Sequence, residues 1–82
     1  MKRIAWTEQA KADVRGLDKV TAMRILSALH RFVEWGTGDV KALQGDVEEL
    51  RLRVGDYRLF FVCTGDDVIE VRRVAHRREA YR

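Results

Sequence analysis

The hydrophobic pattern in the first half of the chain predicts one short strand followed by two helices. Residues 2–6 alternate weakly between polar and apolar side chains, which is typical of a strand. Thr7 and Asp18 are suited to cap helix N-termini, and Gly36 is suited to end the second helix. The second helix carries an apolar stripe at helical spacing, formed by Ala22, Ile25, Leu26, Leu29, Phe32 and Val33. A very short turn joins the two helices into a hairpin.

The second half of the chain predicts a loop and then three strands joined by tight turns. Gly55-Asp56 is a two-residue hairpin signal, and the acidic stretch 64–67 is a second turn. Short turns make neighbouring strands antiparallel, so we expect a meander. The loop covers residues 36–48, and the strands cover about 48–54, 57–63 and 67–75.

This order of elements indicates an α+β fold. A strand, a helical hairpin and a three-stranded antiparallel meander follow one another, so both helices are expected on one face of the sheet. The 82 residues are enough for one small domain, which we expect to span residues 1–82. We leave residues 76–82 open as either a tail or one helical turn.

Cysteine content and hydropathy indicate the cellular compartment in which the protein is expected. A single cysteine, Cys63, cannot form an intramolecular disulfide, which favours a reducing cytoplasm. Its alternation with Leu59 and Phe61 predicts a buried position. The N-terminus lacks the apolar segment of a signal peptide, and no apolar run is long enough to span a membrane. We therefore expect a cytoplasmic protein without membrane association.

Basic residues are distributed unevenly along the chain. Residues 1–50 carry eight basic and eight acidic side chains, whereas residues 51–82 carry eight arginines and five acids. All four lysines lie in the first half. Guanidinium groups stay charged and bind phosphate oxygens in a bidentate manner, so the second half suits an anionic partner such as RNA.

The first predicted strand of the meander separates its charged side chains from its apolar ones. Leu50, Leu52 and Val54 alternate with Glu49, Arg51 and Arg53, so the two sets point to opposite faces. In a meander, the end of this strand lies beside the start of the next strand and near the end of the third. We therefore expect four arginines to converge at one end of the sheet, namely Arg51, Arg53, Arg58 and Arg77.

Such a cluster suits RNA cleavage by the neighbouring 2′-hydroxyl. That reaction needs an aligned phosphate, stabilised negative charge and proton transfer at two oxygens. His76 is the first candidate for proton transfer and Tyr81 is the second. Arg73 and Arg78 complete the basic set and are predicted to bind RNA with Arg53. We expect no metal and no cofactor, because His30, His76 and Cys63 have no ligand spacing.

Several short motifs resemble the RelE/ParE superfamily of bacterial toxin–antitoxin toxins, and the resemblance covers nearly the whole chain. The motifs are Leu43-Gln44-Gly45, the stretch Leu50-Arg51-Leu52-Arg53-Val54-Gly55-Asp56-Tyr57-Arg58, the acidic turn Asp66-Asp67, and the closing His76-Arg77-Arg78-Glu79-Ala80-Tyr81-Arg82. The resemblance implies a RelE-type fold and a cognate antitoxin that wraps the toxin. It also implies one of two targets, ribosome-bound mRNA or DNA gyrase.

In RelE-like members, toxin bound in the ribosomal A site promotes 2′-hydroxyl attack within the mRNA codon. The resemblance then implies that Arg51, Arg58 and Arg77 bind phosphate and stabilise transition-state charge, and that Tyr81 stacks on or orients a base. Arg53 matches a common basic position. Some relatives carry lysines on this strand, where Glu49 and Arg51 stand here.

Three functions remain open from the sequence. The first is a ribosome-dependent mRNA endonuclease that arrests translation, and Arg58, Arg77 and Tyr81 together favour it. The second is a ParE-like inhibitor of DNA gyrase without nuclease activity. The third is an inactive member that is kept as an antitoxin-bound regulator.

Overall fold

A computed structural model describes residues 3–43, 49–65 and 67–80. Within them lie two helices and five strands. In chain order they are β1 (Arg3–Trp6), α1 (Glu8–Arg15), α2 (Lys19–Trp35), β2 (Asp39–Ala42), β3 (Leu50–Val54), β4 (Tyr57–Thr64) and β5 (Val68–His76). The predicted α+β class, the initial strand, the helical hairpin and the antiparallel meander are confirmed.

The five strands form one sheet in the order β1-β5-β4-β3-β2. β1 pairs parallel with β5, and the other neighbouring pairs are antiparallel. The helical hairpin follows β1 in the chain. The first and last strands of the fold, β1 and β5, lie side by side. This arrangement leaves β4, the central strand, with β5 on one side and β3 on the other.

The helix ends match the predicted capping residues. Thr7 Oγ1 accepts a hydrogen bond from Ala10 N at 3.1 Å, and Asp18 Oδ2 accepts one from Thr21 N at 3.1 Å. Asp18 Oδ1 also accepts from the Thr21 hydroxyl at 2.6 Å, and this bond is the main cause of a lowered Asp18 pKa. Gly36 ends α2 in the left-handed conformation at φ +71°, which glycine adopts without strain.

The core lies between the two helices and one face of the sheet. Ile25 and Leu29 of α2 and Ala10 of α1 are buried against side chains from three strands. Phe61 is fully buried and its ring centroid lies 5.3 Å from that of Phe32. The sheet side chains that complete the core are Leu52, Leu59, Phe61, Ile69, Val71 and Val74.

An irregularity in β5 changes which face its side chains occupy. Phe60 pairs with Arg73 and Phe61 pairs with Val71, so Arg72 has no partner on β4. One extra residue reverses the alternation of the strand beyond it. Val71 and Val74 therefore both reach the core although three positions separate them.

Two local predictions are wrong. Residues 36–48 were predicted as a loop, but Asp39–Ala42 forms an edge strand paired with β3. This strand is four residues long and buries little of its surface, so the alternation of hydrophobic residues gives almost no signal. Cys63 was predicted to be buried but is exposed. Pairing of β4 with β3 ends at Phe61, and the last residues of β4 extend past that neighbour.

No helix in the described part of the chain is long and apolar enough to cross a membrane. The predictions for Gln44, Gly45, Asp66, Tyr81 and Arg82 fall outside the described residues.

Candidate functional site

Four arginines share the sheet face opposite the helices, and we call this set the arginine face. It consists of Arg51 and Arg53 on β3, Arg58 on β4 and Arg73 on β5. Arg53 pairs directly with Arg58, while Phe60 lies between Arg51 and Arg73 in the neighbouring row. Strand alternation places these residues on the face away from Leu52 and Leu59, which enter the core.

Two members of the arginine face are buried. Arg51 and Arg58 each expose 8% of their surface, although arginine is rarely buried without a partner. Arg58 Nη1 donates to the carbonyl oxygens of Gly55 and Tyr57, both at 3.0 Å. The Nε atoms of Arg51 and Arg58 have no hydrogen-bond partner among the described residues. A buried and incompletely paired guanidinium is costly, and an anion bound at this face would offset that cost.

Asp39 on β2 contributes an acidic side chain to the same face. Its Oδ1 lies 3.5 Å from Arg51 Nη2 and its Oδ2 lies 3.9 Å from Arg53 Nη1. Asp39 also pairs with Arg53 in the β2–β3 register. One carboxylate therefore partly neutralises two arginines, whereas no ion pair within the described chain joins Arg58 to an acid.

Arg73 connects the arginine face to the C-terminal turn. Its guanidinium carbon lies 4.9 Å from the centre of the Phe60 ring, within the range of a cation–π interaction. Its Nη2 donates to Glu79 O at 3.2 Å. The turn at residues 77–80 is thereby held against β5, and Ala80 in that turn is buried.

Arg77 reaches the β3–β4 turn, as expected for convergence at one end of the sheet. Its backbone N–H donates to Asp56 O at 2.7 Å, and its Nε lies 3.8 Å from Asp56 Oδ1. Gly55 and Tyr57, the two neighbours of Asp56, are the residues whose carbonyl oxygens accept from Arg58. The structure therefore brings Arg77 to the turn that also holds Arg58.

His76 does not join the arginine face. It pairs with Tyr57 in register, and the two rings make an edge contact at 5.3 Å. Its Nδ1 accepts a hydrogen bond from the backbone N–H of Arg78, whose side chain is exposed. His76 lines a cleft of about 610 Å³ on the α1 side of β5, together with Gln9 and Asp13. The extra residue in β5 places His76 on the same face as Val71, because uninterrupted alternation would direct His76 to the opposite face.

Two contributors to the arginine face were missed by sequence reasoning. Asp39 lies in a stretch that was predicted to be a loop, so nothing indicated that it faces Arg51 and Arg53. Phe60 carried a usable signal, since it alternates with Leu59 and Phe61 beside Arg58. Tyr81 lies outside the described residues. Among the described residues, no group of three His, Cys, Asp or Glu side chains could hold a metal ion.

Comparison with known proteins gives one family and several solved structures. The model of the family described as "ParE toxin of type II toxin-antitoxin system, parDE" matches residues 4–81. A search of curated proteins gave no match. RelE in the RelE–RelB complex from Pyrococcus horikoshii OT3 is similar at 27% identity and a TM-score of 0.76, over 96% of this chain and 98% of that one.

Two further complexes have the same fold. The RelB–RelE antitoxin–toxin complex from Methanococcus jannaschii matches at 25% identity and a TM-score of 0.77, covering 94% of both chains. The intact RelBE complex from E. coli matches at 20% identity and a TM-score of 0.70, covering 93% of this chain and 96% of that one. Similarity over almost the full length of each chain supports the α+β fold with two helices on a five-stranded sheet.

Proposed function

We propose, from the premise that this chain belongs to the ParE toxin family within the RelE/ParE superfamily of type II toxin–antitoxin toxins, that it is a ribosome-dependent mRNA endonuclease. Its proposed substrate is mRNA in the ribosomal A site, and the proposed outcome is arrested translation. The arginine face is the proposed binding site for the phosphate at the cleaved bond.

The burial of Arg51 and Arg58 is the observation that supports this proposal most. Both guanidinium groups are removed from water and each keeps an Nε–H without a partner in the described chain. Arg58 lies opposite Arg53, and like charges directly opposite one another on a sheet are destabilising. A fold that tolerates this arrangement is well suited to a ligand that brings negative charge to the face.

The proposed reaction is an internal transfer at phosphorus. The 2′-oxygen forms a bond to phosphorus, the bond from phosphorus to the 5′-oxygen breaks, and the products are a 2′,3′-cyclic phosphate and a 5′-hydroxyl end. Arg51, Arg58 and Arg77 stabilise the charge that accumulates on the phosphate oxygens. One proton leaves the 2′-hydroxyl and another is delivered to the departing 5′-oxygen.

Proton transfer is assigned to Tyr81, which also orients a base. His76 was the first candidate at the sequence level, but its ring lies on the α1 side of the sheet and contacts Tyr57. We therefore revise its role to positioning the C-terminal turn through the bond from Arg78 N to its Nδ1. Arg53, Arg73 and Arg78 are assigned to the RNA strand on either side of the reacting phosphate.

The proposed partner is a cognate antitoxin. The RelE chains similar to this one at 27% and 25% identity were both solved with RelB bound. An antitoxin segment with acidic side chains would complement the arginine face and compete with RNA for it.

Primer extension on mRNA from cells that express the protein tests the nuclease proposal. We expect cuts at fixed positions within codons and 2′,3′-cyclic phosphate ends, which disappear in the Arg58→Ala variant. Arg31→Ala is the matched control, because it removes an exposed arginine from α2 on the other side of the sheet. Growth arrest with intact mRNA would contradict the proposal.

A second candidate is inhibition of DNA gyrase, the target that the resemblance to ParE implies. Two observations favour it: the matching family model is that of ParE, and His76 is not on the arginine face. A supercoiling assay with purified gyrase separates the two candidates. Inhibited supercoiling with uncut mRNA supports the second, and normal supercoiling with codon-positioned cuts supports the first.

A further inference from the structure

The ion pairs of Asp39 resemble the contacts that an anionic ligand would make. Its two oxygens are divided between Arg51 and Arg53, at 3.5 Å and 3.9 Å. Both distances exceed those of charge-assisted hydrogen bonds, which are about 2.7–2.9 Å for a cationic N–H and an anionic oxygen. The carboxylate thus supplies charge to the arginines without satisfying their N–H groups, and Arg51 Nε remains without a partner in the described chain.

The position of Asp39 makes it displaceable. It lies on the edge strand β2, and 53% of its side chain is exposed, whereas 10% of the Arg51 side chain is exposed. An exposed carboxylate on a short edge strand can turn toward water at little cost, but a buried arginine cannot. A phosphate that approaches the face can therefore take the place of the carboxylate at Arg51 and Arg53.

We infer that Asp39 is an internal competitor of the bound phosphate, which occupies Arg51 and Arg53 in the free protein and is displaced when a nucleic-acid phosphate binds. The role of Asp39 rests on the proposed function, because both concern the same arginines.

Competition between Asp39 and phosphate divides the arginine face into two parts. Arg58 has no acidic partner within the described residues, whereas Arg51 and Arg53 become available only when the anion outcompetes the carboxylate.

This competition lowers the affinity of the face for every polyanion. Competition by Asp39 should therefore favour a phosphate that other contacts hold in place over a phosphate that contacts the surface only transiently. A substrate positioned by other contacts, such as an RNA strand fixed on the ribosome, would be favoured over free nucleic acid.

The experiment compares Asp39→Asn with Glu70→Gln in the full chain. Glu70 forms an ion pair with Arg72, at 3.1 Å between Glu70 Oε1 and Arg72 Nε, so its substitution removes the same charge and one arginine contact elsewhere. Inorganic phosphate and a short single-stranded oligoribonucleotide are the probes. NMR signals of the arginine Nε–H groups report phosphate, and fluorescence anisotropy reports RNA.

We expect Asp39→Asn to bind both probes about fivefold more tightly than wild type, the factor at the upper end of exposed ion-pair energies. Glu70→Gln should change affinity less than about twofold, since long-range charge is screened by salt. Equal effects of the two variants would overturn the inference, because net charge alone would then explain them. Weaker binding by Asp39→Asn would also overturn it, since Asp39 would then be orienting the arginines for the ligand.

The measurement of phosphate binding distinguishes a failure of this inference from a failure of the proposed function. If wild type cuts no mRNA but Asp39→Asn still gains phosphate affinity at Arg51 and Arg53, the proposed function fails and the competition stands. If wild type cuts mRNA and Asp39→Asn shows no gain, the competition fails and the proposed function stands. Absence of phosphate binding by Asp39→Asn overturns the inference whatever the cleavage assay gives.

Discussion

Arg53 and Arg58 face each other directly across the antiparallel β3–β4 pair. Directly opposed side chains on one sheet face have Cβ atoms about 4.5–5.5 Å apart, so the two arginines leave the sheet at neighbouring positions. Arg58 is buried and Arg53 is exposed. Like charges directly opposite each other on a sheet are destabilising, and under the proposed function a bound phosphate would offset that cost.

Replacing Arg58 by methionine should abolish growth arrest without lowering stability. Methionine has a similar length and fills the buried site without charge, and replacing buried charges by apolar groups is often neutral or stabilising. The loss of two hydrogen bonds to backbone carbonyls opposes this gain. We expect a thermal midpoint equal to or above that of wild type, measured by circular dichroism, together with loss of toxicity in an expression assay.

Arg53→Met is the matched control for Arg58→Met. It removes the opposing charge from an exposed position and keeps buried Arg58 in place. We expect the same or a smaller gain in stability and a partial loss of toxicity. A large fall in the thermal midpoint of Arg58→Met would show that Arg58 serves the fold, and its loss of toxicity would then say nothing about RNA.

Asp13 joins α1 to the edge of β5, and its removal should destabilise the fold. Its Oδ2 accepts a hydrogen bond from the backbone N–H of Val74 at 2.9 Å, where β1 no longer pairs with β5. Asp13→Ala leaves this partly buried N–H without a partner, which costs about 1–3 kcal/mol. Urea unfolding followed by fluorescence measures the change.

Gln9→Ala provides the control for Asp13→Ala. Gln9 Nε2 donates to the other oxygen of Asp13 at 2.8 Å on the exposed side. Its removal should change the free energy of unfolding by less than about 0.5 kcal/mol. If both variants lose equal stability, the Val74 bond is not the reason for the effect of Asp13.

Gly38, between α2 and β2, should tolerate no side chain. Its φ is +145°, and an added Cβ would lie 2.9 Å from Leu52 Cδ1 in the core. Backbone strain of this kind costs about 1–3 kcal/mol, and the contact adds to it. We expect Gly38→Ala to lower the urea midpoint clearly, whereas Gly65→Ala, which meets nothing within 4 Å, should leave it nearly unchanged.

The local features of the fold could be predicted from the sequence because local interactions determine them. Thr7, Asp18 and Gly36 delimit the helices by hydrogen bonds and backbone conformation within one turn. The hairpin at Gly55-Asp56 likewise follows from residues adjacent in the chain, with Gly55 at φ +58°. Arg51, Arg53 and Arg58 were grouped correctly because two regular strands and one tight turn connect them.

The remaining features depend on pairing between distant segments. The extra residue at Arg72 shows only in the register of β5 against β4, and it moves His76 away from the arginine face. Asp39 enters the face because β2 pairs with β3, and a four-residue edge strand carries too little pattern to be recognised. Sequence reasoning therefore grouped arginines that lie on one sheet face, but it did not predict that Asp39 lies among them.

The Asp18 cap should make stability depend on pH in the acid range. Hydrogen bonds from the Thr21 hydroxyl and backbone N–H lower the Asp18 pKa from its ordinary value of 3.8 in the folded state. The unfolded chain therefore binds the proton more readily, so the contribution of the charged cap is complete above pH 3.8 and is lost as pH falls through the lowered pKa. Asp18→Asn keeps an acceptor for Thr21 N but carries no charge.

We expect Asp18→Asn to have a lower urea midpoint than wild type at neutral pH, and the two midpoints to converge well below pH 3.8. Asp18→Ala, which removes the acceptor as well, should stay below wild type at both pH values. Equal midpoints for wild type and Asp18→Asn at neutral pH would contradict a stabilising charge at this cap. A difference that persists unchanged into acid would show that the shape of the carboxylate, and not its charge, supports the first turn of α2.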